Sequence, residues 1–140
     1  MAESPTSRTI KFLAKQNIIA GNVERFVRQA GPFGQRYDLF GFIDVIACYS
    51  NGIYGLQITS TGNVSSRIKK ILNERPEEAK SFIESGGKIE VWGWSKRGKK
   101  GARKLWAPKV YKIVLDKEKN LVSILLEDPS NFPRRHRRLI

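Results

Sequence analysis

The sequence predicts a single α/β domain in which helices flank a mixed β-sheet. Along the chain, the patterns run in the order helix, three strands, helices and further strands. The run at residues 43–48 is almost continuously apolar, which is typical of strands covered on both faces. With 140 residues, 40% of them hydrophobic, the chain can build one core but not two. We expect one domain over residues 1–128 and a basic, flexible tail over residues 129–140.

The first half of the chain predicts one helix followed by three strands. Residues 9–30 show apolar side chains at helical spacing, and Gly31-Pro32 would end that helix. The apolar stripe consists of Ile19, Val23, Phe26, Val27 and Ala30. Strands are expected at residues 37–40, 42–49 and 53–58, with residues 50–52 as the turn between the last two.

The second half predicts two helices and three further strands. Thr61 or Asn63 would cap a helix that runs to residue 73, and Pro76 opens a short helix over residues 76–85. Gly86-Gly87 ends it, and residues 88–94 alternate as in a strand. Residues 105–115 and 121–126 are expected to form a hairpin.

The charge of the chain indicates a polyanionic partner. Lys and Arg number 26 against 13 Asp and Glu, so the net charge is +13. This excess favours nucleic acid or an acidic membrane as partner. Six cations are concentrated between the tryptophans of residues 91–106, where they predict an arm that follows DNA phosphates. They are Lys96, Arg97, Lys99, Lys100, Arg103 and Lys104.

The tryptophans of this segment allow two interpretations. Trp94 is a candidate for stacking on exposed bases, whereas the alternative places Trp92 or Trp94 in the core or over the sheet edge. Further candidate DNA contacts are Arg36, Arg67 and Lys70.

Cysteine usage and hydropathy suggest a reducing cytoplasm. The single Cys48 lies in an apolar run and is expected to be an inert core thiol. No apolar run approaches 18 residues, and the N-terminus lacks a hydrophobic leader. We therefore expect no membrane partner and a cytoplasmic location.

Three acidic residues stand out because they lie amid apolar sequence. Asp44 is flanked by Ile43 and Val45, where an unpaired charge would be costly to bury, so that it needs a partner such as a metal ion. Asp38 lies six residues earlier and would share its face on an unbroken strand. With Glu24 and the amide oxygen of Gln57, these residues predict a site for Mg²⁺, with Mn²⁺ as a possible substitute. The alternative is that Glu24 and Asp38 only pair with nearby arginines.

These motifs resemble the PD-(D/E)XK nuclease superfamily, in particular archaeal-type Holliday junction resolvases and related phage proteins. Residues 23–25 are similar to its helix element, residues 42–44 to its first strand and residues 56–61 to its second. The resemblance covers about residues 20–95. It implies a restriction-endonuclease-like sheet, Mg²⁺-dependent cutting of four-way junction DNA, and a homodimer. It also implies a bacterial or archaeal host cell, in which a virus could encode the protein. Asp44 would be the central metal ligand, Gln57 the second, and Glu24 a further ligand or a group that orients water.

Two positions depart from the family pattern. Gln57 stands where the family has Glu, and Thr59 where it has Lys, so that a neutral hydroxyl replaces a catalytic cation. The following helix could supply that cation through Arg67 or Lys69, whereas Lys70 is expected to point further away. Two other hypotheses stay open: a catalytically degenerate nuclease fold that only binds DNA, and an RNA-binding protein of ribosomal type.

Overall fold

The computed structural model describes residues 3–126, which form three α-helices, one short 3₁₀ helix and eight strands. The predicted tail at residues 129–140 lies outside the described residues. In chain order the elements are α1 (Pro5–Ala14), β1 (Ile19–Asn22), β2 (Arg25–Val27), β3 (Gln35–Tyr37), β4 (Val45–Tyr49), β5 (Gly52–Ser60), the 3₁₀ helix (Thr61–Asn63), α2 (Val64–Glu74), α3 (Pro76–Glu84), β6 (Lys88–Arg97), β7 (Leu105–Leu115) and β8 (Leu121–Leu126).

Six of the strands form one mixed sheet in the order β1-β4-β5-β6-β7-β8. Neighbours are antiparallel except β5 and β6, which are parallel because the chain crosses over between them through α2 and α3. Strands β2 and β3 pair separately as a short antiparallel ribbon. The predicted mixed α/β architecture is confirmed.

Helices cover both faces of the sheet. On one face, Leu13 of α1 packs in a cluster with Leu56 of β5 and Trp92 of β6. On the other face, Ile71 of α2 packs in a cluster with Val91 of β6. The central strands are therefore buried on both sides, which explains why their sequences are almost continuously apolar.

The helix predicted over residues 9–30 is wrong in both its bounds and its length. Helix α1 begins at Pro5, where the hydroxyl of Ser4 caps it by accepting a hydrogen bond from the Ser7 N–H (3.1 Å), and it ends at Ala14. The next residues form β1 and β2 because β1 pairs along β4. Tertiary pairing therefore prevails over a helical spacing that was only local.

The first strands also begin and end elsewhere than predicted. Strand β3 ends at Tyr37 and β4 begins only at Val45, so that residues 38–44 form a turn rather than strand. Cys48 on β4 is exposed, not a core thiol. The later elements agree with the sequence patterns: β7 and β8 have the expected bounds, and α2, α3 and β6 differ by a few residues at their ends.

Thr9 makes two hydrogen bonds, and one of them holds α1 on the sheet. Its buried hydroxyl accepts from the Trp94 indole N–H (2.8 Å) and donates to the Pro5 carbonyl (2.8 Å). We expect Thr9→Val to lower the free energy of unfolding by about 1–3 kcal/mol, because the buried indole N–H loses its acceptor. Urea denaturation measures this loss. The matched control is Thr6→Val on the same helix, and an equal effect of the two substitutions would contradict the role of the Trp94 bond.

Candidate functional site

A tight turn brings Asp38 and Asp44 together. On a straight strand their Cα atoms would be about 20 Å apart. Instead the chain reverses: the N–H of Leu39 donates to the Ile43 carbonyl (2.9 Å), and the N–H of Ile43 donates to the Leu39 carbonyl (2.9 Å). Gly41 adopts a φ of 84° at the corner. The two aspartates are therefore close, as predicted, but a turn brings them together and not a shared face of one strand.

Two strand pairings bring Glu24 to the same place. The pair Arg25↔Tyr37 in the β2–β3 ribbon puts Glu24 beside Asp38. The pairing of β1 with β4 puts it beside Asp44, since the Val23 N–H donates to the Asp44 carbonyl (2.9 Å). Glu24 thus lies in the connection between β1 and β2 and not on a helix, contrary to the expectation. One carboxylate oxygen from each of Glu24, Asp38 and Asp44 lies within 4.8 Å of the others, and we call these residues the carboxylate cluster.

Gln57 completes this cluster from β5. Its side-chain Nε2–H donates to Oδ2 of Asp44 (2.7 Å), and the Ile58 backbone N–H donates to the same oxygen (2.9 Å). Gln57 is 1% exposed, and its Oε1 has no hydrogen-bond partner among the described residues. Burying an amide oxygen without a donor is unfavourable, so this atom indicates that a donor or a cation belongs beside it.

The surroundings of Asp44 favour its protonated form. Burial raises the pKa of Asp44 most, the hydrogen bond with Asp38 and the charges of Asp38 and Glu24 raise it further, and the Ile58 N–H opposes them. Together these raise the pKa from its ordinary 3.8 to about 8. Without metal, Asp44 therefore holds a proton at neutral pH, and a bound cation would displace it.

This shift predicts that the metal-free protein loses stability as pH rises. The unfolded chain releases the Asp44 proton near pH 4, whereas the folded chain keeps it to about pH 8. Between these two pH values, the contribution of Asp44 to the free energy of unfolding falls by at most about 1.4 kcal/mol per pH unit. Urea denaturation in EDTA at pH 5 to 8 gives the free energy of unfolding of the wild type and of Asp44→Asn, whose side chain cannot titrate. The difference between the two values measures the contribution of Asp44. A difference that is constant or has the opposite slope would contradict the prediction.

Cations surround the carboxylate cluster. Nη1 of Arg36 lies 3.1 Å from Oε1 of Glu24, and Nζ of Lys70 lies 3.8 Å from Oδ2 of Asp38. Arg67 lines a cavity of about 280 Å³ together with the cluster and Gln57. The other residues that line this cavity are Ser4, Pro5, Thr6, Asn22, Arg36 and Ile58.

Two predicted catalytic residues are not among the residues that line this cavity. Lys69 is exposed on α2, and Thr59 is buried on β5. The expectation that Lys70 points further away than Lys69 is wrong, because Lys70 forms an ion pair with the cluster. The three-residue spacing from Arg67 to Lys70 is the sequence signal that identifies this helix face.

The predicted basic segment, residues 96–104, comprises the last two residues of β6 and the connection to β7, and we call it the basic arm. Strands β6 and β7 are antiparallel up to the pair Arg97↔Leu105. The six predicted cations are exposed, and within residues 3–126 none of them forms an ion pair. They are Lys96, Arg97, Lys99, Lys100, Arg103 and Lys104.

The structure corrects the prediction for Trp94. Trp94 is 3% exposed and packs in the core beside Trp92, so its ring is not available to stack on a base. Trp106 at the start of β7 is 47% exposed. The guanidinium carbon of Arg8 lies 3.8 Å from its ring centroid, and Nζ of Lys96 lies 5.6 Å from it. Trp106 is therefore the exposed indole beside the basic arm.

Fold and site together define a mixed α/β domain with a partly buried acidic centre and a basic arm. No model of a known protein family matches this chain, and no curated protein or solved structure matches it either. Within residues 3–126, no helix is long and apolar enough to cross a membrane.

Proposed function

We propose that this protein is a metal-dependent, structure-selective DNA endonuclease of the PD-(D/E)XK superfamily, acting as a Holliday junction resolvase. The observation that carries the proposal is the carboxylate cluster with the unpartnered Oε1 of Gln57 beside it. The mixed sheet with helices on both faces supports the restriction-endonuclease-like fold that the resemblance implies.

The donor set of the cluster suits a hard divalent cation. Asp44, Gln57 through Oε1, and Glu24 or Asp38 offer only oxygen atoms, which Mg²⁺ and Mn²⁺ prefer. Gln57 can hold Asp44 through Nε2 while its Oε1 remains available as a neutral ligand. When bound, the metal would lower the pKa of an attacking water and neutralise charge on the phosphodiester.

The position of the basic arm supports DNA as the substrate. Parallel pairing sets Gln57 of β5 opposite Val91 of β6, and the arm begins five residues further along, at Lys96. The arm therefore starts about 16 Å beyond the level of Gln57, at the same end of the sheet. A duplex held by the arm would lie near the cluster, and its phosphates would find cations without competing carboxylates.

A homodimer follows from the proposed substrate. A four-way junction has two-fold symmetry and requires two cuts, so that two copies of the chain related by a two-fold axis would place one site on each strand to be cut.

The test is to incubate purified protein with a labelled four-way junction and with linear duplex of the same sequence. Each DNA is tested in EDTA, Mg²⁺ and Mn²⁺. We expect binding in all three conditions, and symmetric cuts in the junction only with metal. Equal cutting of linear duplex would contradict junction selectivity. A gel shift with duplex RNA of the same sequence is run in parallel, and tighter binding of the RNA than of the junction would contradict DNA as the substrate.

A second candidate function is DNA binding by a catalytically degenerate nuclease fold. The neutral residues Gln57 and Thr59 favour it, because they remove one negative ligand and one catalytic cation from the family pattern. Junction binding without metal-dependent cutting in the same experiment would establish this alternative.

A further inference from the structure

We propose that Lys70 of α2 is the catalytic cation of this site and takes the role that Thr59 cannot perform. The inference rests on the proposed nuclease function and assigns a residue to its chemistry. Nζ of Lys70 lies 3.8 Å from Oδ2 of Asp38, and the two side chains are 32% and 13% exposed. Lys70 is thus partly buried at the carboxylate cluster.

The geometry of α2 explains why Lys70 and not Lys69 reaches the cluster. Residues of an α-helix advance by about 100° each. Val64 and Ile71 are buried and mark the core-facing side of α2. Relative to Val64, Arg67 and Lys70 therefore lie about 60° and 120° to one side, and Lys69 lies about 140° to the other.

Close packing fixes this orientation. A Cβ on Gly93 of β6 would overlap with Cγ2 of Val64, so the first turn of α2 lies directly against the sheet. With this turn packed on the sheet, the side of α2 that carries Arg67 and Lys70 lies toward the cluster.

The chemistry required of Lys70 is hydrogen-bond donation, without proton transfer. An ammonium group has three N–H donors, and a bond to Asp38 would leave two of them for other acceptors. One of these donors can bind a non-bridging phosphate oxygen. Negative charge grows on that oxygen as water adds to phosphorus and the bond from phosphorus to the departing sugar oxygen breaks, and the ammonium group stabilises this charge. Overall, water supplies a hydroxyl group to phosphorus and a proton to the departing oxygen. Because its contact with Asp38 is long and partly exposed, Nζ can shift toward the substrate at small cost.

The test compares Lys70→Met with Lys69→Met, which removes the same charge from the adjacent residue of the same helix. Single-turnover cleavage of the junction is measured in Mg²⁺, and the dissociation constant is measured by gel shift in EDTA. We expect Lys70→Met to slow cleavage by about 100-fold or more, because removal of one donor that stabilises transition-state charge typically has an effect of this size. The affinity for the junction should change little. Lys69→Met should cut at nearly the wild-type rate.

Two further variants separate catalysis from structure. Lys70→Arg keeps the charge and should retain more activity than Lys70→Met, and Lys70→Gln repeats the test if the Met variant misfolds in a thermal unfolding control. Equal cleavage rates for Lys70→Met and Lys69→Met, or a loss of affinity in place of rate, would overturn the role of Lys70 and leave the nuclease function standing. If the wild type itself does not cut, the proposed function fails, and this role with it.

Discussion

Asp44→Asn is expected to abolish metal-dependent cleavage of a four-way junction while leaving binding of that DNA unchanged. Asp44 is the buried carboxylate that the Gln57 amide and the Ile58 N–H hold in place. Asparagine keeps the shape but removes the negative charge that would attract the cation. A metal ion supplies several kcal/mol of transition-state stabilisation, so we expect the single-turnover rate to fall by about 10³-fold or more.

The control for this experiment is Asp116→Asn, the same substitution in the turn between β7 and β8, at an exposed position. It should cut and bind as the wild type does. Gel shifts in EDTA report binding by both variants, and undiminished nicking by Asp44→Asn would refute the metal site. Because asparagine also mimics the protonated aspartate, this variant should be at least as stable as the wild type at pH 8.

Removal of charge from the basic arm should weaken DNA binding and reduce its salt dependence. Lys99 and Lys100 are exposed cations without an ion pair among residues 3–126, and are thus available for phosphates. Each phosphate contact contributes about 0.9 to the slope of log K against log salt. The double variant Lys99→Gln/Lys100→Gln should therefore reduce that slope by about 2 and affinity by roughly ten- to a hundredfold.

Lys117→Gln/Lys119→Gln is the matched control, because it removes the same charge from the exposed turn between β7 and β8. Titration of labelled junction at several salt concentrations measures both slopes. If binding depended only on the net charge of the chain, the two double variants would weaken it alike, and the arm would have no special role. The arm effect should appear in affinity, whereas Asp44→Asn and Lys70→Met act on rate, so the variants separate binding from catalysis.

Prediction from sequence succeeded where the signal was local and strong. The hairpin of β7 and β8 has long apolar runs around a polar turn, and its bounds were predicted correctly. Prediction failed at residues 19–30, where the apolar stripe at helical spacing lies in the short strands β1 and β2 and in the connections beside them. Spacing over a dozen residues does not contain the information that β1 pairs with β4, since pairing depends on residues more than twenty positions away.

The carboxylate cluster also combines a local feature that the sequence predicts with long-range contacts that it does not. That Asp44 needs a partner follows from its apolar neighbours alone, because burial of an unpaired charge is costly whatever the fold. The sequence predicted that Glu24 and Asp38 lie near Asp44, but it did not predict the backbone path that brings them there. Glu24 arrives through the pairing of β1 with β4 and of β2 with β3, and Asp38 arrives through the turn at residues 38–44.

By itself, the sequence determined the α/β class, the strong positive charge, the basic arm and the unusual position of Asp44. These depend on composition and on patterns within one element, which local physical chemistry governs. Only the tertiary structure decided that Lys70 and not Lys69 reaches the cluster, that Trp94 is core while Trp106 is exposed, and that Oε1 of Gln57 lacks a partner. Each of these depends on which helix face or strand end packs against a distant part of the chain, and long-range packing decides that orientation.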